Sequence, residues 1–298
     1  MDSSVKSRSE YVLQTIAHVV MIIASLAAIL PFLLLITSSL TSENELLISG
    51  YTFFPEHVTT YAYEYLFTTN GENVLRAYGV TVLITAVGTS LSLLIAPMLA
   101  YVISRSDYPR RKFLAFFVLC TMLFNGGLVP FYIMWTQLFH IKNTIFALII
   151  PRLLMNGFSI MLMRNFFQTS IHPAMIEAAK IDGAGELKTY YKIVLPLSLP
   201  ILATIGLMTG IMYWNDWEMG LYFISNPKLY SLQNLLNRII TSIQFLASMS
   251  KDVSVSVEMP STAVRMALAV IGVIPILTIY PFFQKFFAKG ISLGGVKG

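Results

Sequence analysis

The chain has 298 residues, of which 56% are hydrophobic and 12% are charged, and its formal net charge is +5. Because soluble domains carry about 25% charged residues, this composition excludes a disordered chain, a basic nucleic-acid-binding domain and most soluble enzymes. It is typical of a polytopic helical membrane protein.

Six long apolar runs, nearly free of charge, predict six transmembrane helices. Each run is close to or longer than the ~20 residues that a helix needs to cross ~30 Å of hydrocarbon. The first run is too long for a signal-peptide core and no small-residue cleavage site follows it, so we expect it to be retained. The runs are residues 11–42, 78–104, 113–141, 143–163, 193–215 and 266–284.

The predicted fold class is therefore all-α, with one six-span domain over residues 15–290 between short tails, residues 1–14 and 291–298. The distribution of basic residues predicts that both tails are cytoplasmic. With that orientation, thirteen of the twenty Lys and Arg residues fall in inside segments and six in outside segments. This asymmetry follows the positive-inside rule.

Two of the predicted outside segments are long. Residues 43–77 contain the turn signal Asn70-Gly71. Residues 218–264 contain a helical stripe of apolar residues, which predicts an external amphipathic helix. Such a helix can lie at the membrane surface, pack on its own spans or offer a surface to an extracellular partner. The stripe consists of Leu232, Leu235, Leu236, Ile239, Ile240 and Ile243.

The sequence carries no recognisable catalytic or metal-binding pattern. It contains no phosphate-binding loop of the Gly-x-x-x-x-Gly-Lys type, and no carboxylate pair lies within a span. The single cysteine, Cys120, forms neither an intrachain disulfide nor a metal cluster by itself. The four histidines have no metal-ligand spacing. If the chain transports a solute, we expect another protein to supply the energy.

The segment between the fourth and fifth runs, residues 170–196, predicts a helix–turn–helix elbow at the cytoplasmic surface. Ser170 can cap a helix and Pro173 suits its first turn, so a short helix is expected to follow. Gly183 suits the left-handed residue that ends such a helix. Residues 186–192 predict a second short helix.

This elbow resembles the EAA motif of bacterial ABC importer permeases of the maltose-type carbohydrate group. The motif reads Glu-Ala-Ala, three residues, Gly, nine residues and Ile-x-Leu-Pro, and it is matched by Glu177-Ala178-Ala179, Gly183, Ile193 and Leu195-Pro196. Asp182-Gly183-Ala184 is the variant common in sugar importers. Weaker matches resemble the subgroup for complex oligosaccharides, at residues 125–130, 162–167 and 290–298.

The resemblance implies a MetI-like permease fold and a division of labour among subunits. The chain would be a non-catalytic subunit in the bacterial cytoplasmic membrane, paired with a homologous permease as a heterodimer. An extracellular solute-binding protein would deliver an oligosaccharide to the pair. ATP and Mg²⁺ would be bound by two separate ATPase subunits and not by this chain. The elbow would be the coupling helix that docks on an ATPase, through Glu177, Ala178, Ala179, Asp182 and Gly183.

Aromatic and hydrogen-bonding residues on the third and fifth runs are candidates for a sugar path, since aromatic faces combined with polar groups bind sugars. Membrane-interface aromatic belts and ordinary helix packing are the alternative explanations. On the third run the candidates are Asn125, Tyr132 and Trp135. Near the outer end of the fifth run they are Tyr213, Trp214, Asn215 and Trp217, which look like the Trp-Asn element of sugar permeases.

Arg152 lies about 10 residues into the fourth run, or ~15 Å deep at 1.5 Å per residue. Because a charged side chain is costly within a bilayer, we expect it to face the solute path or a protein partner. It follows Pro151, which can break the helix locally. Contact with a polar or acidic sugar is one interpretation, and a structural pair with Asn156 or with the partner permease is the other.

Two alternatives remain at the level of the sequence. Because the EAA motif does not encode the solute, the first alternative is an importer for a peptide-like or phosphorylated compound. A membrane-embedded enzyme or a non-transporting assembly protein is the second, and it would work without an ATPase partner.

Overall fold

A computed structural model of the chain describes residues 8–151, 154–249 and 261–294. Within these residues all regular structure is helical, and an isolated antiparallel bridge joins Thr41 to Val58. The predicted all-α fold class is confirmed.

The helices vary widely in length. In chain order they are α1 (Arg8–Ser39), α2 (Glu43–Ser49), α3 (Tyr61–Ser104), α4 (Arg111–Leu123), α5 (Leu128–Ile133), α6 (Phe146–Ile149), α7 (Gly157–Ser170), α8 (Pro173–Ile181), α9 (Glu186–Thr189), α10 (Leu195–Leu197), α11 (Leu199–Trp214), α12 (Glu218–Phe223), α13 (Leu232–Met249) and α14 (Ser261–Gly294). The described part of the chain also contains two π-helical turns, Met134–Leu138 and Tyr190–Val194, and one 3₁₀ turn, Pro227–Leu229.

The described residues contain three single helices that are long and apolar enough to cross a membrane. They are Tyr11–Ser39, Gly71–Ser104 and Thr262–Pro281. Two further candidates are bent pairs of helices, Arg111–Leu123 with Leu128–Leu138 at 113° and Glu186–Leu197 with Leu199–Trp214 at 79°. The number of six spans therefore stays a prediction.

The predicted turn at Asn70-Gly71 is wrong, because α3 runs through both residues without a break. Apolar residues repeat along one face of this helix before and after the dipeptide. A turn dipeptide is a local signal, whereas a continuous buried face is stabilised along the whole helix. The buried residues on this face include Ala62, Leu66, Val74, Ala77 and Ile84.

The third apolar run, predicted as one span, is broken between α4 and α5. The Asn125 side chain accepts a hydrogen bond of 2.9 Å from the Gly127 backbone N–H, an arrangement that favours a turn. Gly127 has a φ of +84°, in the left-handed region that glycine adopts without steric cost. These two residues account for the 113° bend of the run.

The fourth apolar run is also broken, between the four-residue helix α6 and the start of α7. Pro151 lies in the turn that separates them. The Asn156 side chain caps α7 by accepting a hydrogen bond of 3.0 Å from the Ser159 N–H. The second half of the run thus begins as a new helix with its own cap.

The amphipathic helix predicted from the apolar stripe at residues 232–243 is confirmed as α13. Leu232 is fully buried and Leu236 nearly so. The Leu232 N–H also donates to the Thr81 hydroxyl on α3 at 2.8 Å. The apolar side of α13 therefore packs on the protein at its start.

The described residues divide between two compact units, Met1–Gly71 with Ser242–Val273 and Glu72–Thr241 with Ile274–Gly298. In the first unit, the Glu43 carboxylate accepts hydrogen bonds from the N–H groups of Thr262 and Ala263, at the start of α14. An acidic group at a helix N-terminus satisfies donors that have no partner within the helix.

Helix α1, also in the first unit, exposes its side chains on every side from residue 11 to residue 33. Nearly all of these side chains are apolar, so this surface needs lipid or another apolar surface around it.

The second unit contains two apolar cores. One core joins the later part of α3 to α4, α7, α11 and the π-helical turn Tyr190–Val194, and it includes the fully buried Met163 and Ile205. The other joins α3 to α6 and α12, and it includes the fully buried Phe223. The first core fixes the end of α3 against the elbow, and the second fixes α6 and α12 against α3.

Helices α3 and α11 approach each other closely at Gly88. A Cβ atom at this position would lie within 3 Å of three ring carbons of Tyr213, which is fully buried. The Tyr213 hydroxyl donates a hydrogen bond of 2.7 Å to the Ile149 carbonyl, so its ring has little freedom to move. Only glycine fits at position 88, because a Cβ atom there has no space beside the Tyr213 ring.

We predict that Gly88→Ala destabilises the protein by about 1–3 kcal/mol, the usual cost of overpacking a core. The thermal unfolding midpoint in detergent, followed by intrinsic fluorescence, measures this loss. Gly79→Ala is the matched control on the same helix, because a Cβ at Gly79 meets no atom within 4 Å. Equal midpoints for the two variants would contradict the close approach of α3 to α11.

Candidate functional site

In the elbow, residues 170–196, the cap of the first short helix lies two residues later than the sequence predicts. Ser170 is the last residue of α7, and His172 caps α8 by accepting a hydrogen bond of 3.3 Å from the Ala174 N–H. The prediction that Ser170 is the cap is therefore wrong. The residue before a proline is pushed towards extended backbone, and an N-cap needs that conformation, so Pro173 selects His172.

Helix α8 ends at Ile181, and Gly183 supplies the predicted left-handed residue just after it. This residue has a φ of +75°, which favours glycine over any residue with a Cβ. The Ala184 N–H donates to the Ala179 carbonyl at 2.9 Å, and the Gly183 N–H donates to the Lys180 carbonyl at 3.0 Å. This pair of bonds is a Schellman motif. The turn at the tip of the elbow is thus held by the backbone itself.

The predicted second helix of the elbow is α9, which ends earlier than expected, at Thr189. The chain continues as the π-helical turn Tyr190–Val194 and then as α10. This turn directly precedes Pro196, which has no N–H to donate to the carbonyl of Lys192 in a regular helix. The proline therefore accounts for the change in helix type.

The motif residues of the elbow are mostly exposed. Glu177, Ala178, Asp182 and Gly183 lie at the surface, whereas Ala179 is buried. Beside them the elbow presents apolar side chains to its surroundings, with 87% of Ile181 and 66% of Leu187 exposed. Apolar groups at such exposure next to polar motif residues are typical of a protein-binding surface.

Four charged side chains join the elbow to the end of α3, and we call them the Arg105 junction: Arg105, Asp107, Lys180 and Glu186. Arg105 binds both carboxylate oxygens of Asp107, at 2.8 and 2.6 Å. It also lies 3.2 Å from Glu186. Lys180 lies 2.9 Å from Asp107 and 3.4 Å from Glu186. Each cation therefore contacts both anions.

These contacts change the proton affinities of the groups that form them. Hydrogen bonds from Arg105 and then from Lys180 hold the pKa of the Asp107 carboxyl well below its usual range. The hydrogen bond to Asp107 in turn raises the pKa of Arg105 and of Lys180. A carboxyl with a lowered pKa keeps its charge, and the stability that its ion pairs confer, until the pH falls through that pKa. The Asp107 carboxylate and the two cations that contact it thus stay charged at physiological pH.

Two of the candidate sugar-path residues on the third run, Tyr132 and Trp135, pack on the same apolar core. Tyr132 stacks on Phe223 of α12, with ring centroids 5.6 Å apart and planes at 16°. Trp135 packs on Phe139 at 4.8 Å, and its indole N–H is buried without a hydrogen-bond partner. Asn125 is exposed at the break before α5. Tyr132 and Trp135 thus share one core, whereas Asn125 lies at the surface.

The candidates at the end of α11 have different environments. Tyr213 is fully buried, and its ring and hydroxyl are used in packing and in the bond to Ile149. Trp214 is also buried and meets Tyr78 edge to face, at 5.6 Å. Asn215 is exposed and accepts a hydrogen bond of 3.3 Å from Gln233, whereas 45% of Trp217 is exposed. Only Asn215 and Trp217 of this group offer accessible side chains.

A cavity of about 330 Å³ lies between α3, α11 and α14, and its lining is mainly apolar. Thr85 and Thr89 contribute hydroxyl groups that are buried without a hydrogen-bond partner, and Trp214 contributes its ring. A lining of this kind lacks the many hydrogen-bonding groups that a sugar needs. The cavity does not by itself define a sugar site.

Arg152 lies outside the described residues. The pairing of Arg152 with Asn156 therefore stays a prediction. Among the residues that the structure does describe, no group of three or more His, Cys, Asp and Glu side chains could hold a metal ion.

The Arg105 junction was not predicted from the sequence. Arg105 and Asp107 follow the end of α3 directly, and this close pair of opposite charges was the available signal. Nothing in the sequence places them beside Lys180 and Glu186, which are far away along the chain. That juxtaposition comes from the packing of α3 against the elbow.

The chain is similar to known membrane transport proteins. Residues 80–293 match the family described as binding-protein-dependent transport system inner membrane component. The chain is 35% identical, over 92% of its length and 94% of the relative's, to the polygalacturonan/rhamnogalacturonan transport system permease protein YtcP of Bacillus subtilis. It is 37% identical to the protein LplC of the same organism, over 91% of this chain and 90% of that one.

The fold is also similar to a solved structure of a bacterial ABC transporter involved in the import of the acidic polysaccharide alginate. The TM-score is 0.78 at 29% identity, and the match covers 96% of this chain and 100% of that chain. The predicted resemblance is therefore confirmed. The chain belongs to the binding-protein-dependent transport system inner membrane components, and it is a non-catalytic permease subunit of a bacterial ABC importer with a MetI-like fold.

Proposed function

We propose that this permease forms one half of the membrane path for an oligosaccharide, with a homologous permease as the other half. An extracellular solute-binding protein delivers the sugar, and two ATPase subunits bind ATP and Mg²⁺. The relatives support this proposal, because one is a permease of a polygalacturonan/rhamnogalacturonan transport system and the solved structure is a transporter involved in the import of alginate. The excess of basic residues in alternate segments supports cytoplasmic termini.

The elbow is proposed to be the coupling element that docks on an ATPase subunit. The observation that carries this role is the exposure of Ile181 and Leu187 beside the motif residues Glu177 and Asp182. The two apolar side chains offer contact area, and the carboxylates offer charge for specificity. Gly183 fixes the turn between the two short helices. Ala178 and Ala179 have small side chains that allow a close approach.

The sugar path is proposed to include polar and aromatic groups of the third run and the accessible groups at the end of α11. Asn125, Tyr132 and Trp135 belong to the first group, and Asn215 and Trp217 to the second. Arg152, whose depth in the fourth run is inferred from the sequence alone, adds a positive charge. A permanent positive charge favours an acidic sugar over a neutral one.

We predict that Ile181→Asp prevents the ATPase subunits from remaining bound to the permease, because a charge replaces an apolar group in the proposed contact. The amount of ATPase that copurifies with the tagged permease in detergent measures this, and we expect a fall of about tenfold, or roughly 1.4 kcal/mol. The matched control is Ile48→Asp on α2, since Ile48 is 86% exposed and Ile181 is 87% exposed.

The result depends on the variant reaching the membrane in normal amount, which a blot of the membrane fraction checks. Retention of the ATPases by Ile181→Asp at the level of Ile48→Asp would remove the docking role of the elbow.

The solute class is tested with the complete assembly in proteoliposomes and the cognate solute-binding protein. We predict ATP-dependent uptake of labelled tetragalacturonate and no uptake of a tetrapeptide of similar size. Binding of both compounds to the solute-binding protein by calorimetry gives the same comparison without transport. If the binding protein ignored a panel of neutral and acidic glycans and bound the peptide, the assignment of an oligosaccharide would be lost.

A further inference from the structure

The Arg105 junction connects two elements that the proposed function requires to move together. Arg105 directly follows α3, the longest helix in the described residues. Lys180 lies in α8 and Glu186 begins α9, so both belong to the elbow. The junction is the set of charged contacts through which the described elbow reaches the end of this span.

Arg105 is the centre of the junction. Only 10% of its side chain is exposed, whereas about half of each of the other three junction side chains is exposed. Its guanidinium group also donates to the Tyr101 hydroxyl at 2.6 Å, and that hydroxyl donates to Glu186 at 3.0 Å. A planar group that binds two carboxylates and a phenol at once has one favourable orientation.

The end of α3 is held from a second side by α7. The Arg164 side chain donates to the Ile103 carbonyl and the Gln168 side chain donates to the Ser104 carbonyl, each at 3.4 Å. Basic and amide groups satisfy the last carbonyls of a helix, which have no partner within it. The last turn of α3 is therefore fixed on α7 and on the elbow together.

An apolar contact alone would connect the same elements less specifically. The rings of Tyr101 and Tyr190 meet at 5.3 Å, so α3 and the elbow already share buried surface. Burial of apolar surface is non-directional and does not fix an orientation. The charged contacts do fix it, because each requires particular donor and acceptor positions.

We propose that the Arg105 junction is a positioning device that makes the elbow and the end of α3 one mechanical body. This inference rests on the proposed coupling role of the elbow. Movement of the elbow, caused by closure of the ATPases on ATP, is then passed to α3 through Arg105. When the junction is lost, the elbow stays docked and the ATPases stay active, but α3 no longer moves when the ATPases close.

The test places a fluorescent label on α3 in the complete complex of both permeases and both ATPases. Cys120 is the only cysteine of the sequence, so Leu75→Cys in a Cys120→Ala background gives a single attachment site. Leu75 is suitable because 77% of it is exposed. The signal is the change in fluorescence when a non-hydrolysable ATP analogue is added. The ATPase rate and the copurified ATPase are measured on the same samples.

In the parent complex we expect a nucleotide-dependent change in fluorescence. Arg105→Gln and Glu186→Gln are each expected to reduce this change about fivefold or more, a usual allosteric coupling factor. The double variant should lose no more than either single variant, because both remove the same connection. Copurified ATPase and ATP hydrolysis should stay close to the parent values.

Two control variants separate positioning from a general effect of charge or stability. Lys188→Gln removes a positive charge from an exposed residue of α9 that lies outside the junction, and it should leave the fluorescence change intact. Lys180→Gln should reduce the change, and Lys180→Arg should restore it, since arginine can still pair with Asp107.

A full fluorescence change in Arg105→Gln and Glu186→Gln would overturn the proposal, as would an equal loss in Lys188→Gln. The absence of any change in the parent complex, with ATPases bound and active, would also overturn it. Failure of the parent permease to retain ATPases would instead overturn the coupling role of the elbow. The two failures are therefore distinguishable.

Discussion

The constraint on which the structure depends is the cost of an unsatisfied peptide group in hydrocarbon, where no water is present to bind it. A helix meets this constraint internally, so the long spans are helical and the interruptions are few. Where a predicted run is interrupted, side chains near the break satisfy the freed groups. Asn125 does so before α5, and Asn156 does so at the start of α7. The same principle holds at the end of α3, where Arg164 and Gln168 bind its last carbonyls.

The elbow is proposed to lie outside the hydrocarbon, where this constraint is relaxed, and it shows a different solution. Its two short helices, α8 and α9, are too short to be stable in isolation. The Schellman turn at Gly183, the buried Ala179 and Tyr190, and the Arg105 junction hold them in place. This combination gives a small, rigid element with an exposed apolar tip. Such an element suits the transfer of movement between two proteins, which is the role proposed for it.

The sequence was sufficient for the fold class, the helix-forming stripe of α13 and the turn at Gly183, because each depends on local pattern or on a single special residue. It was insufficient where tertiary packing decided the outcome. The turn signal at Asn70-Gly71 was overridden by the continuous buried face of α3. The cap at His172 was missed for a local reason, the effect of Pro173 on the residue before it. Among the candidate sugar residues, Tyr213 is fully buried, and its hydroxyl is bonded to the Ile149 carbonyl. The junction at Arg105 depends on contacts between distant parts of the chain, which no local pattern reveals.

The most direct test of the central claim is photocrosslinking from the tip of the elbow in the intact transporter. A photoreactive amino acid in place of Ile181, in membranes that contain the complete assembly, reports which protein lies beside it. The account predicts a crosslinked product between the permease and an ATPase subunit, in a yield that changes with bound nucleotide. A crosslink to lipid or to the permease alone, in an assembly that still hydrolyses ATP and transports, would contradict it.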